Sequence, residues 1–516
     1  MTRTNLPSKL RALTSWRRYA VACLFGALAA LAFPPFNAIP VLWLSFPALV
    51  FLLQGAPDKK SAFALSWTFA FGMLTVSLYW IAGALFVDID QFWWLVPFAA
   101  CGLPAMFAVY HGLAGMAAWR WGVNRLDGLL FLALAWTLAD YARGTMMTGF
   151  PWDLTGYVWG DVLPVLQITS LTGIYGLTLI TLTLAVMPAA LAAPIRSVAG
   201  KRFLLACFVT LGVIAGWGLN RLSGARDNTV PDVRLRLIQP DTKQSQKWIT
   251  AKRETNFQTL LELTSLPNEK LPAAIIWPET ASTFYLAEDT PHRQSIAANL
   301  EKNQTVLTGA IRRGVNEKQE LVYFNALIAI DNLARVTADY AKFHLVPFGE
   351  YVPFRKYLPF RAVAAVGDFT PGEGLQTLRI EGLPPFSPLI CYEAIFPGEV
   401  ARRDDPPQWL LNVTNDAWYD GTTGPYQHFA IVRVRAVEEG IPLVRVANKG
   451  INGVIDAYGR ITIKQGWGQK GIIDSNLPEA LPKRTFFARW GNRPFWILCG
   501  LMLGAALLLR CKNRTK

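Results

Sequence analysis

At 516 residues the chain is long enough for more than one domain, and 52% hydrophobic against 17% charged residues excludes an ordinary soluble protein. The formal charge of +14 could suggest nucleic acid, but no basic-aromatic binding motif accompanies it, so no nucleic-acid partner is expected. Apolar runs dominate the first ~220 residues and the last ~20, and the stretch between reads as a water-soluble domain.

Taken in chain order, runs with the length and apolarity of spanning helices are predicted at Tyr19–Phe36, Ile39–Gln54, Ser61–Val87, Phe92–Trp119, Leu126–Tyr141, Leu163–Ala193, Phe203–Leu222 and Pro494–Leu509. The second and fifth are short and read equally as re-entrant or buried segments. The first follows basic residues but runs into Pro34-Pro35 without a small-residue cleavage site, so it reads as a retained signal anchor.

Lys and Arg favour the cytoplasmic side of short loops. With the N-terminus inside, the inner segments hold Arg3, Lys9, Arg11, Arg17 and Arg18, then Lys59 and Lys60, Arg120 and Arg125, Arg196, Lys201 and Arg202, and finally Arg510, Lys512, Arg514 and Lys516. The outer short loops offer little beyond Arg143. Three parts follow: a bundle over 1–222, an external domain over 223–493, and a last helix with a cytoplasmic tail over 494–516. In a Gram-negative cell the external domain would be periplasmic, with both termini cytoplasmic. The bundle offers few buried charges of the kind that mark ion pathways, which argues against a transporter.

Within the external domain, "VRLRLIQPD", "AAIIWPE", "QTVLTGAI", "YFNALIAID", "SPLICYE", "QWLLNVTND" and "LVRVANKG" are short β-rich runs. "TAKRETNFQTLLELTSL" and "PYQHFAIVRVRAVEEG" have helical spacing. Strands alternating with helices give a layered α/β domain. There is no internal repeat, Gly-rich phosphate loop or zinc cluster, so neither metal nor cofactor is expected.

Cys23, Cys101, Cys207 and Cys499 fall in the apolar runs and Cys511 just after the last, which leaves Cys391 as the external domain's one cysteine. It closes the strand-like run "FSPLI", a place where layered α/β scaffolds present nucleophiles; the plainer reading is a small buried hydrophobe. Its domain's histidines, His292, His344 and His428, sit in no Cys–His hydrolase motif. Two other stretches deliver a reactive group at a strand end: "AAIIWPETAS" with Glu279, and "YAKFHLVPFGEYVPF" with Lys342 and then Glu350. A thiol needs a base or a cation to become a thiolate.

Together "WPET", "KFHLVPFGEYVP" and "ICYEAIFP" resemble the Glu-Lys-Cys motifs of the nitrilase superfamily over Val233–Asn476. Seven apolar segments before and one after resemble its membrane-embedded branch, the bacterial apolipoprotein N-acyltransferases. The resemblance implies a bundle of about eight helices carrying an α-β-β-α sandwich. It also implies a triad of Glu279 as base, Lys342 as oxyanion partner and Cys391 as nucleophile, supported by Glu350, Tyr392 and Glu393. The implied reaction is a ping-pong transfer of an acyl chain from a phospholipid, through a cysteine thioester, to the α-amine of a diacylglyceryl-cysteine on an apolipoprotein. The expected enzyme is monomeric and lies in the bacterial inner membrane. A membrane-tethered amidase or nitrilase-type hydrolase would use the same triad. Trp248, between Lys247 and Lys252, reads as an apolar contact beside lipid phosphates, and "TGFPWDLTGYVWGD", Thr148–Asp161, as an interfacial aromatic loop.

Overall fold

The structure, a computed structural model, describes residues 5–192, 194–195, 198–353, 355–357 and 368–514. Arg3, Ala193, Arg196, Phe354 and Lys516, which the sequence reading invoked, lie outside them. The chain forms two compact units. One takes the described residues up to Ala82, Phe92–Gly224 and those from Arg489 on; the other takes Gly83–Gln91 and Ala225–Ala488.

Each predicted apolar run overlaps a helix: Ser15–Ala29, Leu42–Gln54, Lys59–Leu78, Leu103–Trp121, Leu126–Thr145, Thr169–Val186, Val198–Ser223 and Arg493–Arg514. Among the described residues, five segments are long and apolar enough to cross a membrane: Lys59–Leu95, Phe98–Trp121, Thr169–Leu191, Val198–Ser223 and Arg493–Lys512. Ile39–Gln54 is apolar but shorter, Ser15–Ala29 has 15 residues, and Leu126–Thr145 carries Asp127, Asp140 and Arg143. Small residues bring the helices together. A Cβ at Gly26 would strike the Phe69 carbonyl and one at Gly72 the Cys23 carbonyl, so Ser15–Ala29 and Lys59–Leu78 meet backbone to backbone.

Two expectations about this unit are corrected. The bundle does bury charge: His111 Nε2 lies 3.1 Å from Asp140 Oδ1, and Arg143 Nη2 donates to the same oxygen at 2.9 Å. Arg143 is thus a helix residue inside the bundle and belongs to no outer loop. Its other nitrogen donates to the carbonyls of Phe150 (2.8 Å) and Trp152 (2.7 Å), so the cluster ends on the unit's own main chain. That clamp also corrects the second expectation. The Thr148–Asp161 stretch is largely buried, with Trp159 donating to the Thr181 hydroxyl at 2.8 Å and the Gly156 amide to that of Thr178 at 3.1 Å.

The second unit holds β1 (Thr229–Gln239), β2 (Ala274–Ile276), β3 (Thr305–Val315), β4 (Leu321–Asp331), β5 (Val336–Ala341), β6 (Phe386–Ile390), β7 (Trp409–Thr414), β8 (Leu443–Ala447), β9 (Asn452–Ile455), β10 (Ile461–Gln465) and β11 (Gly471–Pro478). They form two mixed sheets, in the orders β11-β1-β2-β3-β4-β5 and β10-β9-β8-β7-β6. Side chains on alternate faces sort into layers. Leu235, Leu237, Ile276, Leu307 and Leu327 of the first sheet share a core with Ile390, Trp409, Leu411, Val413 and Val446 of the second. On its far face the first sheet packs Ile238, Ile275 and Val306 against the helices Arg253–Thr264 and Thr290–Ala297. The second sheet packs Leu389, Leu410 and Leu443 against Gly424–Glu439. The result is a four-layer α-β-β-α sandwich. Its central strands are covered on both sides, which is why they read as nearly unbroken apolar runs.

Candidate active site

Three strand ends meet in the sandwich unit. β2 stops at Ile276; Pro278, which cannot donate to a ladder, prevents its continuation, and Glu279 follows. Thr280 then adopts φ 43°, turning the chain. Gly309 on β3 makes room for that turn, since a Cβ there would lie 2.5 Å from both Glu279 Cα and Thr280 N. Lys342 is the first residue after β5.

Cys391 is the first residue after β6. β6 is an edge strand, so Pro388 costs the sheet no ladder bond. Cys391 itself has φ 51°, a left-handed conformation rare for a residue with a side chain, and opens the single helical turn Cys391–Ile395. Glu393 pins that elbow. One carboxyl oxygen accepts from the Ile390 amide at 2.7 Å, and the other accepts from the Phe343 amide and the Tyr340 hydroxyl, each at 2.8 Å. Glu393 thus ties the Cys391 turn to the chain leaving Lys342. Burial pushes its carboxyl up to about 7, against the pull of those hydrogen bonds.

Lys342 is 1% exposed. Its Nζ lies 2.9 Å from Glu350 Oε2 and 3.7 Å from Glu279 Oε1. Asn325, in the middle of β4, donates to Glu279 at 2.7 Å and to Glu350 at 2.8 Å, and the Val346 amide donates to Glu350 at 2.8 Å. Burial works against the lysine's charge, but Glu350, Glu279 and Cys391 outweigh it and hold the ammonium protonated. Burial raises the Glu279 carboxyl above its ordinary range, with Glu350 adding and Lys342 and Asn325 opposing. Burial and the charge of Glu279 likewise raise the Cys391 thiol, while Lys342 pulls it down. Cys391 keeps part of its surface accessible although its neighbours are buried. A neutral thiol beside a carboxylate with raised proton affinity and a fixed ammonium is equipped for proton abstraction coupled to nucleophilic attack.

The structure therefore brings Glu279, Lys342, Cys391, Glu350 and Glu393 together, and Tyr392 sits buried in the Cys391 turn with its ring edge-on to Phe396. Trp248 packs, partly buried, on a cluster of Ile311, Leu345 and Phe369 with Tyr285, Tyr323 and Tyr351. Its neighbour Lys247 does not face solvent phosphates as expected. That side chain is buried and donates to the Thr280 hydroxyl at 2.6 Å and the Glu279 carbonyl at 3.3 Å, because the short helix Gln244–Lys247 turns it inward. Burial pushes its ammonium down to about 8, opposed by Glu279. Among the described residues no cluster of His, Cys, Asp or Glu could hold a metal ion.

Asn325 and Lys247 are among the residues that sequence reasoning missed. A polar Asn centred in the apolar strand "YFNALIAID" was a legible signal; nothing marked Lys247 as inward-facing.

The family profile described as "Apolipoprotein N-acyltransferase N-terminal domain" matches residues 25–187, and that described as "Carbon-nitrogen hydrolase" matches 234–481. An apolipoprotein N-acyltransferase of Rhodopseudomonas palustris is 36% identical, covering 98% of this chain and 99% of its own. Those of Brucella suis and Bradyrhizobium diazoefficiens are 37% and 39% identical, each covering 97% of this chain and 96% of its own. The chain belongs to the apolipoprotein N-acyltransferase family. Membership favours acyl transfer over the tethered-hydrolase alternative, since the similarity runs through the bundle as well as the sandwich.

Proposed function

We propose that this enzyme moves a fatty acyl chain from a phospholipid to the α-amine of a diacylglyceryl-cysteine at an apolipoprotein N-terminus, using Glu279, Lys342 and Cys391. The observation that carries the reading is the buried Glu279–Lys342–Glu350 cluster beside a strained cysteine in a chain of this family. Glu279 takes the Sγ proton as the sulfur attacks the ester carbonyl. The oxyanion is met by the Lys342 ammonium and the Tyr392 main-chain N–H. As the tetrahedral intermediate collapses, the lysophospholipid oxygen leaves with the proton from Glu279, and a thioester remains on Cys391. In the second half the acceptor amine attacks that carbonyl, gives a proton to Glu279, and expels the thiolate, which recovers it. Glu350 and Asn325 hold the lysine and the base in register; Glu393 holds the elbow. Trp248, on its apolar cluster, is suited to an acyl chain or lipid surface.

Eight crossings, with 1–222 as bundle, 223–493 as the periplasmic catalytic domain and 494–516 as the last helix and cytoplasmic tail, complete the proposal, with a monomer in the inner membrane as the working unit. The reading is tested by giving purified enzyme phospholipid alone. One stoichiometric burst of lysolipid should be followed by near-arrest, because the thioester must be kept from water until an amine arrives. A diacylated peptide with a free N-terminal cysteine should restart turnover and yield a triacylated product, and the same peptide with a blocked amine should not. Continuous fatty-acid release without acceptor, as fast as with it, would establish the hydrolase reading instead.

A further inference from the structure

That mechanism leaves unused a buried polar cluster at the same strand ends. β6 and β7 run parallel with Ile390 opposite Val413, so the next residues in each strand, Cys391 and Thr414, emerge side by side. Thr414 is 0% exposed. Its hydroxyl lies 3.2 Å from Asp416 Oδ1 and is placed to favour the ionised form of the Cys391 side chain by a hydrogen bond. Asp416 is itself buried and held by Arg445 Nη2 at 2.7 Å and His428 Nδ1 at 3.3 Å. Arg445 also donates to Asn412 Oδ1, and Asn412 Nδ2 donates to the carbonyls of Leu389 (3.1 Å) and Cys391 (3.4 Å). The Thr414 hydroxyl therefore has one proton and two acceptors, the Asp416 carboxylate and the nucleophile's sulfur. Asp416 keeps the Arg445 guanidinium when that proton turns away, so releasing it leaves no buried carboxylate without a donor.

We propose that Thr414 is a further catalytic residue: its hydroxyl turns from Asp416 to Cys391 Sγ as the thiol ionises, stabilising the thiolate both in its attack and as it leaves the acyl group. This rests on Cys391 being the nucleophile. Resting sulfur, a weak acceptor, leaves the proton on Asp416; thiolate in the same buried place competes for it, because hydrogen bonds to charged acceptors are about twice as strong as neutral ones. The groups facing Cys391 are Glu279 and Asp416, whose negative charges keep the thiol protonated, Lys342 and Thr414, which favour thiolate, the half-buried Tyr419 phenol, and His428 on the Cys391 main chain.

The test is the alkylation rate of Cys391 by iodoacetamide in the full-length protein, followed by mass spectrometry of the Cys391 peptide so that other cysteines do not contribute. Below the thiol's pKa the rate tracks the thiolate fraction and rises with pH. Losing a hydrogen bond to a charged group should displace that line by about one pH unit or more. Thr414→Val should therefore alkylate about tenfold slower or worse at every pH from 6 to 9 and form acyl-enzyme correspondingly slowly. Thr414→Ser should stay within about threefold of the parent. A valine profile that superimposes on the parent's, or a serine variant as slow as valine, overturns the proposal. If the valine variant does not insert into the membrane, Thr414→Ala against Thr414→Ser decides on the same criterion. Cys391→Ser keeps the two readings apart. Transfer activity in that variant would sink the nucleophile assignment, whereas an inactive Cys391→Ser with an unmoved Thr414→Val profile would sink the Thr414 proposal alone.

Discussion

Lys342 sits between two carboxylates and a sulfur, and Asn325 decides how the negative charge around it is shared. Because the ammonium is fixed by Glu350 and Glu279, its loss should do more than break an ion pair: the buried carboxylates would lose their counter-charge and the developing oxyanion its partner. Lys342→Met and Glu279→Gln should each lower single-turnover acyl-enzyme formation by roughly a hundredfold or more; effects under about threefold would return both residues to a structural role. The pH dependence follows from the same geometry. Glu279 works as a base only when ionised, and burial raises its pKa above the ordinary carboxylate range. Acylation should therefore fail as pH drops through that raised value, giving an acid limb displaced upward from that of a solvated glutamate. The Asn325 amide favours the ionised form through its 2.7 Å bond, so Asn325→Ala should move the acid limb to higher pH still. A limb that stays put, or moves to lower pH, would show that Glu279 is not the group being titrated.

At the scale of elements, the turn after β2 depends on a glycine in the neighbouring strand. Gly309 lies under Pro278, Glu279 and Thr280, with an added Cβ falling 2.5–2.6 Å from their backbone atoms. Gly309→Ala must therefore push the base away from Lys342 and Cys391. Since a one-ångström misplacement of a reacting group can cost about a hundredfold, acylation should fall by that order while the protein still inserts and keeps its circular dichroism; full activity would mean that the turn yields freely. The strands carrying Glu279 and Cys391 were legible because each is a buried apolar run that stops at a polar residue, whereas β5, which carries Lys342, is a largely exposed edge strand read only from the motif that follows it. β10 and β11 were not, since Ile461–Gln465 and Gly471–Pro478 are half-exposed edge strands whose polar composition reads as loop, and β9, though buried, is only four residues long. The helix Thr290–Ala297, at 8 residues, is too short for a helical period to stand out. Thr148–Asp161 misled for a different reason. Aromatic composition alone does not separate a membrane-interface loop from a buried one, and what buries this stretch is Arg143, whose donors reach Phe150 and Trp152 from the preceding helix. Likewise the site's inner polar residues, Asn412, Thr414 and Arg445, interrupt apolar strands in plain view, but their partners come from other strands and helices and no local pattern names them.

For the whole molecule the proposed reading turns on the number of crossings, because it places the sandwich on the outer side, where its lipid-anchored substrates would be met. Five segments span by length and apolarity alone, and an odd total would place the two ends of the chain on opposite sides. In the proposed topology three further helices, Ser15–Ala29, Leu42–Gln54 and Leu126–Thr145, also cross, which gives eight and puts the ends on the same side. Buried polar groups do not disqualify the last of these, since Asp140 and Arg143 neutralise one another within the bundle. The charge distribution agrees: Lys59 and Lys60 open one helix, Arg120 closes another, and Lys201 and Arg202 lie at the start of Val198–Ser223, all on the side assigned to the cytoplasm under eight crossings. Cysteine labelling with a membrane-impermeant reagent in intact spheroplasts, on a chain stripped of its other accessible cysteines, should fail at Gly200 and at Lys516 and succeed at Asn303, and permeabilisation should expose the first two. Labelling at Lys516 from outside, with Asn303 also labelled, would mean that Arg493–Arg514 does not cross; labelling at Gly200 from outside, with Asn303 protected, would remove one crossing before Gly200, and the short Leu42–Gln54 helix would then be the first to reassign as a segment that enters the bundle without crossing it.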